Sequence, residues 1–355
     1  MDASTETIPA LLLGWYDVHR RTLPWRSPPG SPPPDPYAVW LSEVMLQQTT
    51  TAAVGPYFAK FLGRWPDVIA LAEADEGEVM AAWAGLGYYA RARNMIACAR
   101  AVAAAGGEFP ATEAELRKLP GLGAYTAAAI AAIAFGVRAA VVDANVERVV
   151  ARLCAISTQL PQARVQIRAE VDVLTPANRP GDFAQAMMDL GATVCTPRAP
   201  RCLLCPLARH CAGRTLGPEQ FPAKPIKAAK PQRYGQAFWI ERDNQVWLVR
   251  REGKGLLGGM RALPDDRWAA RSDGDKLAPL GGEWVVAGSV RHSFTHFDLD
   301  LQLMVYSGAV CSRLAAQQGE WWALGQLDEA GLPTLFAKAA RLAMAVSDPR
   351  RTNSD

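Results

Sequence analysis

Four cysteines lie close together in the middle of the chain, in a pattern that suits a metal centre. The segment "VCTPRAPRCLLCPLARHC" holds them in the spacing C-x6-C-x2-C-x5-C, as Cys195, Cys202, Cys205 and Cys211. Four thiolates so close together in a cytosolic protein indicate metal binding, because disulfides are rare in that compartment. A structural zinc ion and a [4Fe–4S] cluster are both compatible with four cysteines. Zinc sites usually use two short knuckles, and the single C-x2-C pair here favours the cluster.

Two carboxyl groups could carry acid–base chemistry. Glu43 lies in "DPYAVWLSEVMLQQTT", which predicts one helix over 35–50, with Leu41, Val44, Met45 and Gln48 on one face and Glu43, Gln47 and Thr50 on another. Asp143 follows an apolar run and precedes the helical pattern "ANVERVVARL". The plain interpretations are a solvated Glu43 and a helix-capping Asp143. Two carboxyl groups in unlike environments also suit a reaction through an oxocarbenium ion, in which one protonates the leaving group and the other stabilises the cation.

A glycine-containing hairpin, "LPGLGAYTAAAIAAIAFG" (119–136), separates two predicted helices. Gly121 and Gly123 would let backbone N–H groups approach a ligand at the positive end of the second helix, and phosphate is the natural ligand there. An ordinary tight connection between helices is the alternative. Arg198, Arg201 and Arg209 in the cysteine segment favour a DNA backbone as the ligand. We therefore expect Gly121 and Gly123 to contact DNA phosphate.

The 355 residues divide into regions of different composition. Residues 1–213 are Ala-rich with helical periodicity and Gly/Pro breaks, and they predict a mainly α domain. Residues 214–233 predict a basic linker. Residues 234–355 predict an α+β domain with a hairpin at 234–251, two strands within 283–306 and a helix at 332–346. Cys98, Cys154 and Cys311 are scattered, and we expect them to pack as small core side chains.

Charge and hydropathy limit the possible surroundings of the protein. The formal net charge is only +3, but eight Lys/Arg and one acid lie between Arg198 and Arg233, which is compatible with nucleic acid. No segment approaches the roughly 20 apolar residues of a membrane span, and the first residues lack the basic start of a signal peptide. We expect a cytoplasmic monomer without a membrane partner. The Ala- and Arg-rich composition points to a GC-rich bacterial genome.

Four segments occur together in an order that resembles a known family. They are "LSEVMLQQT", "LPGLGAYTA", "VVDANVERVVARL" and the cysteine spacing. The chain thereby resembles the helix–hairpin–helix DNA glycosylases with an iron–sulfur cluster, and among them the adenine DNA glycosylase (MutY) family. "LPWR" (23–26), "LGYYARARN" (86–94) and "FAQAMMDLGATVC" (183–195) support the resemblance. It implies a two-lobed helical domain that binds double-stranded DNA containing A:8-oxoguanine or A:G mispairs and flips the adenine out of the stack.

The resemblance also implies roles for individual residues. Glu43 would protonate adenine, Asp143 would stabilise the sugar cation, and Tyr125 and Asn145 would lie against that site. Arg26 and Gln185 match positions that hold the adenine. The positions that wedge into the duplex or pack around the opposite base correspond to Gln48, Thr49, Leu86 and Tyr88. In the related endonuclease III family a lysine stands where this chain has Tyr125, and a phenol cannot form the imine needed for strand cleavage. The resemblance therefore implies a monofunctional glycosylase.

The C-terminal domain resembles a Nudix domain that has lost its hydrolase residues. "GKGLLGGMRALP" (253–264) matches the opening of such a domain, but "DDRWAARSDGDKLAPL" lacks the Glu-rich helix that binds magnesium. Phe294, Thr295 and His296 match a family loop, Phe-Ser-His, that reads 8-oxoguanine. A plain turn with a surface histidine is the alternative.

The first domain departs from the family pattern at two places. In one, Ala144 stands between Asp143 and Asn145, where the family usually has glycine. A second is the Pro-rich insert at 27–36, beside Arg26.

Three other functions are compatible with parts of the sequence. An endonuclease III-type glycosylase/lyase conflicts with Tyr125 and with the C-terminal domain. A Nudix nucleotide hydrolase with an attached DNA-binding module conflicts with the missing acidic helix. A non-catalytic iron–sulfur DNA-binding protein would leave Glu43 and Asp143 as surface and capping residues.

Overall fold

The computed structural model describes residues 7–29, 31–225, 229–251, 256–308, 314 and 319–347. Two compact units are present. The first comprises Met1–Asp75 with Ala90–Lys227, and the second comprises Glu76–Tyr89 with Ala228–Asp355. The boundaries expected from composition, 1–213, 214–233 and 234–355, remain sequence-based predictions.

Twelve α-helices occur in the described part of the chain. In chain order they are α1 (Ile8–His19), α2 (Pro36–Leu46), α3 (Thr51–Arg64), α4 (Val68–Glu73), α5 (Glu76–Trp83), α6 (Ala90–Ala104), α7 (Glu113–Leu116), α8 (Ala124–Phe135), α9 (Ala144–Leu153), α10 (Ala163–Leu174), α11 (Pro180–Thr193) and α12 (Thr334–Ser347). A helical first domain followed by a mixed α and β domain confirms the predicted fold class. Over the described ranges, no helix combines the length and the apolarity that a membrane crossing requires.

The helix α8 lies at the centre of the first unit because its side chains are small and apolar. Residues 126–134 are all buried, and the helix packs against α2 and α11. Gly181 of α11 allows one of these contacts, since a Cβ there would lie 2.5 Å from the carbonyl oxygen of Ala132. Alanine and glycine therefore let the helices approach closely enough to bring the side chains at their ends together.

The helix predicted over 35–50 is shorter than expected. It ends at Leu46, Gln48 has φ of 59°, and the hydroxyl of Thr50 accepts from Ala53 N at 3.3 Å to begin α3. The prediction that Gln48 and Thr50 continue the faces of α2 is therefore wrong. The guanidinium of Arg91 ends the helix, because it donates to the carbonyl oxygens of Val44, at 3.1 Å, and Met45, at 3.0 Å. It also donates to the carbonyl oxygen of Gln47.

The second unit contains two small sheets. Its strands are β1 (Gln232–Trp239), β2 (Glu241–Arg242), β3 (Gln245–Arg250), β4 (Arg261–Ala262), β5 (Trp284–Ser293), β6 (Asp298–Tyr306) and β7 (Gly319–Ala323). One sheet has the order β1-β6-β5, with β1 and β6 parallel and β5 and β6 antiparallel. The other has the order β2-β3-β4, with β7 paired to β3. The helix α12 packs on β5, and Trp239, Phe297 and Phe336 lie in the common core.

The hairpin predicted over 234–251 forms only in part. Asp243 and Asn244 have φ of 51° and 60°, as a tight hairpin turn requires. Glu241 and Arg242 pair back onto β3, and the Ile240 carbonyl oxygen accepts from Trp247 N at 2.9 Å, but the rest of β1 joins the other sheet beside β6. The strands within 283–306 and the helix near 332–346 occur as predicted.

The cysteines outside the metal-binding segment differ in their surroundings. Cys98 is buried, as expected of a small core side chain. Cys154 is exposed, so the prediction for it is wrong: it stands at the end of α9, and its thiol faces the carboxylate of Glu170 at 3.9 Å. Cys311 lies outside the described residues.

Candidate active site

A cavity of about 1010 Å³ in the first unit collects eight of the thirteen residues predicted to act in catalysis or to contact bases. Five segments supply them: the chain that follows α1, α2 with the loop that follows it, the first turn of α8, the start of α9, and α11. The predicted residues that line it are Arg26, Glu43, Gln48, Thr49, Tyr125, Asp143, Asn145 and Gln185. The fold thus brings together residues that are up to 159 positions apart in the chain, from Arg26 to Gln185.

Glu43 and Tyr125 form a short hydrogen bond at this cavity. The Tyr125 hydroxyl donates to Oε2 of Glu43 at 2.6 Å, and Glu43 is only 5 % exposed. Burial raises the pKa of Glu43 to about 7, the hydrogen bond from Tyr125 opposes this rise, and the charge of Asp143 adds to it. Burial likewise raises the pKa of Tyr125 well above its ordinary value. A carboxyl that titrates near neutrality can both give and take a proton.

Asp143 caps helix α9 and still faces the cavity. Its Oδ1 accepts from Val146 N at 2.7 Å, and its Oδ2 accepts from Nδ2 of Asn145 at 2.8 Å. The capping interpretation is therefore correct, and it is compatible with a catalytic one because the carboxylate lines the cavity. Ala144 is the first residue of α9 and is not among the residues with positive φ. A methyl group is thus compatible with the backbone where the family usually has glycine.

Arg148, which sequence reasoning missed, connects the catalytic end of α9 to the cysteine segment. Its Nη2 donates to Oδ1 of Asn145 at 2.9 Å and to the Gly191 carbonyl oxygen at 2.7 Å, and its Nε donates to the Cys195 carbonyl oxygen at 2.8 Å. Gly191 must lack a side chain, because a Cβ there would lie 2.6 Å from Cβ of Asn145. The available signal was an arginine three residues after Asn145, which places both on one helix face.

The four cysteines of the segment line one small cavity together with Arg152. Arg152 donates to Sγ of Cys195 at 3.3 Å, and its carbonyl oxygen accepts from Sγ of Cys211 at 3.4 Å. Burial raises the pKa of the Cys205 thiol to about 11, a hydrogen bond from the backbone of Leu207 opposes the rise, and the negative charge of the other three cysteine sulfurs adds to it. A bound metal centre would remove this penalty, so the four sulfurs fit such a centre, either an iron–sulfur cluster or a zinc ion. In the described ranges, no group of three or more His, Cys, Asp or Glu side chains is arranged to hold a metal ion. The four cysteines line the small cavity without forming such a group.

Arg26 lines the cavity, and an ion network that sequence reasoning also missed holds its guanidinium in place. Its Nη1 donates to Oδ2 of Asp189 at 2.7 Å. Arg21 donates to the same carboxylate from its backbone N at 2.9 Å and from its Nε at 2.6 Å. Gln185, 6 % exposed, lies one turn before Asp189 on α11 and donates to the carbonyl oxygen of Gly181 at 3.3 Å. An acid within the apolar helix "FAQAMMDLGATVC" was the signal for this network.

The two glycines of the hairpin differ in what they make possible. Gly121 has φ of 75°, and a Cβ there would lie 2.7 Å from Cβ of Asn94, so the protein itself requires glycine. Gly123 has ordinary φ and open space around it, and it caps α8 without a side-chain hydrogen bond. The first N–H groups of α8 therefore remain available to a ligand at this end of the helix.

The remaining predicted residues belong to the second unit. Leu86 is buried, whereas Tyr88 is exposed with φ of 50°. Phe294, Thr295 and His296 form the turn between β5 and β6. The ring of Phe294 stacks on Phe297 with 4.7 Å between centroids, while Thr295 and His296 are exposed at the tip.

Lys230, at the end of the predicted linker, holds this turn. Its Nζ donates to the hydroxyl of Ser293 at 2.9 Å and to the Phe294 carbonyl oxygen at 2.7 Å. The backbone N of Phe294 donates to the carbonyl oxygen of Phe297 at 2.9 Å. These bonds fix the base of the turn and leave the side chains at its tip free to meet a ligand.

Comparison with solved structures places the first unit within a known fold. A thermostable thymine-DNA glycosylase matches with a TM-score of 0.53 at 28% identity, covering 59% of this chain and 95% of that one. An endonuclease III trapped in a covalent intermediate with DNA matches with a TM-score of 0.50 at 23% identity, over 59% of this chain and 94% of that chain, and shares the fold.

Comparison of sequences agrees with the structural matches. Residues 41–176 match the model of the HhH-GPD superfamily base excision DNA repair proteins, and residues 236–342 match a NUDIX domain. The human adenine DNA glycosylase is 33% identical over 397 residues, which cover 93% of this chain and 73% of that protein. The enzyme of the same name from Mycolicibacterium smegmatis is 41% identical over 227 residues, 64% of this chain and 74% of that protein. The chain belongs to the adenine DNA glycosylase family, whose members are DNA N-glycosylases of base excision repair.

Proposed function

We propose that this protein removes adenine paired with 8-oxoguanine, or with guanine, from double-stranded DNA and leaves the strand intact. The observation that carries the proposal is the buried hydrogen bond of 2.6 Å between Tyr125 and Glu43, in a cavity that Asp143 also lines. The cavity is large enough to receive a flipped-out nucleoside. Membership of the adenine DNA glycosylase family supports the choice of base.

The proposed reaction begins with a proton transfer from Glu43. Its carboxyl protonates a ring nitrogen of adenine, the C1′–N bond breaks, and the bonding electrons leave with the base. The sugar becomes an oxocarbenium ion, which the Asp143 carboxylate stabilises. Water then adds to C1′, and the proton that it loses returns to the carboxylate of Glu43. Asn145 holds Asp143 by its amide, while Arg26 and Gln185 border the space for the base.

Tyr125 supports base removal without strand cleavage. Cleavage by a lyase requires an amine that forms an imine with the sugar, and a phenol has none. The residues that line the described cavity include four arginines and no lysine. The high pKa of Tyr125 keeps the hydroxyl protonated, so that it serves as a hydrogen-bond donor to Glu43.

Three further elements of the proposal concern how the substrate is held. The tip residues Thr295 and His296 would read 8-oxoguanine, and Phe294 would pack against that base. The residues that would wedge into the duplex or pack around the base opposite the adenine are Gln48, Thr49, Leu86 and Tyr88. The N-terminus of α8 at Gly123, behind the turn at Gly121, would bind a backbone phosphate. The proposed complex contains one protein chain and one duplex.

The cysteine segment would hold a [4Fe–4S] cluster through Cys195, Cys202, Cys205 and Cys211. When bound, the cluster would cross-link the four thiolates and fix the segment's geometry. Arg148 joins the backbone of Cys195 to Asn145, so a fixed segment would also steady the amide that holds Asp143. The arginines of the segment remain available for DNA phosphate.

The acid role of Glu43 predicts a characteristic pH dependence. With a pKa of about 7, Glu43 is protonated at lower pH, so the single-turnover rate of adenine release should fall as pH rises above 7, by about tenfold per unit. Glu43→Gln should lower the rate at neutral pH by at least about a hundredfold. The measurement uses a labelled duplex with adenine opposite 8-oxoguanine.

The matched control is Glu115→Gln, which changes an exposed glutamate paired with Lys118 and should leave the rate unaltered. A Glu43→Gln enzyme with the wild-type rate would contradict the acid role of Glu43.

The cluster assignment predicts the metal content. Purified protein should contain four irons and four acid-labile sulfides per chain, and Cys205→Ser should lose both together with the brown absorbance. Cys154→Ser is the control, because this exposed thiol lies outside the set and its removal should leave the iron content unchanged. One zinc ion per chain without sulfide would show the zinc alternative to be right.

The turn between β5 and β6 predicts base selectivity. Replacing Thr295 or His296 by Ala should lower the rate ratio between A:8-oxoguanine and A:G substrates by about tenfold, the effect of losing one hydrogen bond of about 1.4 kcal/mol. Ser307→Ala, at the opposite end of β6, removes another hydroxyl and should leave the ratio unchanged. An unaltered ratio in both turn variants would remove this turn from base recognition.

A further inference from the structure

Asp189 is a fully buried carboxylate in the middle of α11, and the proposed chemistry leaves it without a role. Its side chain is 0 % exposed, and it accepts three hydrogen bonds, from Nη1 of Arg26 and from Nε and the backbone N of Arg21. Burial raises the pKa of Asp189, but the hydrogen bond and charge of Arg26 and the contacts of Arg21 lower it further, so that it lies below its usual range. The carboxylate is therefore a fixed negative charge beneath the cavity wall.

Arg26 is the cation that this charge restrains. Its side chain is 8 % exposed and lines the cavity beside Glu43, and its positive charge lowers the pKa of both Glu43 and Tyr125. The acceptors of the Arg26 guanidinium in the described part of the chain are nevertheless the carboxylate of Asp189, at 2.7 Å, and the carbonyl oxygen of Arg21, at 3.5 Å. Glu43 accepts instead from the neutral hydroxyl of Tyr125.

We propose that Asp189 is a positioning residue that holds Arg26 away from the Glu43 carboxyl, so that Glu43 keeps the proton it gives to the base. The proposal rests on the acid role of Glu43 proposed above. If Asp189 did not bind the Arg26 guanidinium, the buried carboxyl on the cavity wall that could bind it is that of Glu43. An ion pair between them would stabilise the charged form of the acid and leave less of it protonated at neutral pH.

The buried hydroxyl of Tyr16 supports restraint of Arg26 by Asp189. Its oxygen has no hydrogen-bond partner among the described residues, although it feels the charges of both Arg26 and Asp189. Burial raises the pKa of Tyr16 to about 12, so it stays neutral. The Arg26 guanidinium and the Asp189 carboxylate therefore bond to each other and not to this neighbouring hydroxyl, as expected of a tight ion pair in a buried environment.

Other charged groups surround Glu43 and bear on its titration. Tyr125 faces it from α8, Asp143 from the start of α9, and Arg26 from the chain before α2. The other charged residues on the cavity wall, or on the helices α3 and α6 that pack against α2, are Arg21, Lys60, Arg64, Arg91, Arg93, Arg100, Glu147, Arg164 and Arg168. The cation that lowers the Glu43 pKa is Arg26, so its position decides the outcome.

The test is the pH profile of adenine release by the full-length protein, measured under single-turnover conditions for wild type and Asp189→Asn. Asparagine keeps the shape and removes the charge. The alkaline limb of the profile should move to lower pH by about one unit, so that the rate above pH 7 falls about tenfold more than the rate at pH 5. In Arg26→Gln/Asp189→Asn the released cation is gone, and the limb should return to its wild-type position even if the overall rate is lower.

The control and the contrary outcomes are distinct. Asp182→Asn removes another carboxylate of α11, one that pairs with Arg179, and should leave the limb in place. A rate that Asp189→Asn lowers by one factor at every pH would mean a purely structural role and would overturn the proposal. So would a double variant whose limb stays shifted.

A second variant keeps the proposal testable if Asp189→Asn does not fold. Arg26→Gln alone should leave the limb within about half a unit of wild type, because the guanidinium is already held away from Glu43. An upward shift of a full unit or more would mean that Arg26 pairs with Glu43 in the wild type, and would contradict the proposal. Absence of adenine release by wild type would defeat the proposed function and this inference together. A normal wild-type profile with an unmoved limb in Asp189→Asn would defeat the inference alone.

Discussion

The site depends on the burial of one carboxyl group, Glu43, because burial raises its pKa until the group titrates near neutral pH. The rise of its pKa from 4.5 to about 7 corresponds to about 3 kcal/mol. The folded state binds this proton more tightly than the unfolded chain does, so the contribution of Glu43 to stability falls as pH rises from about 4.5 to 7. Above pH 7 Glu43 is ionised in both the folded and the unfolded chain, and the full cost of burying its charge lowers the free energy of unfolding. The surrounding packing of α2, α8 and α11 must offset it, which agrees with the nearly complete burial of α8.

Helix α9 connects the cavity that holds Asp143 to the segment that holds the four cysteines. Asp143 caps it and faces the cavity, while Arg148 and Arg152 further along donate to the cysteine segment. The helix thus connects the carboxylate proposed to stabilise the sugar cation with the four thiols proposed to hold the cluster. Because Asn145 receives a bond from Arg148 and gives one to Asp143, movement of the segment would be felt at the carboxylate.

Sequence reasoning found the residues that touch the reaction more readily than those that hold them. Glu43, Tyr125 and Asp143 lie in motifs whose chemistry is local, and the fold places them on one cavity. The early end of α2 was not foreseen, because the cap comes from Arg91, 45 positions after Leu46 in the chain. Long-range ion pairs leave only a weak local signal, namely a charge inside an apolar helix, and Asp189 carried that signal.

The most direct test of the account is to ask whether a strand breaks when the base leaves. A duplex with a labelled adenine strand opposite 8-oxoguanine is incubated with excess protein, and each sample is divided for treatment with and without hot alkali. A neutral phenol at Tyr125, next to a protonated Glu43, predicts breakage at the adenine position in the alkali-treated half alone, with free adenine in the solution. Equal breakage in the untreated half, with a borohydride-trapped protein–DNA adduct, would contradict the account and establish a lyase.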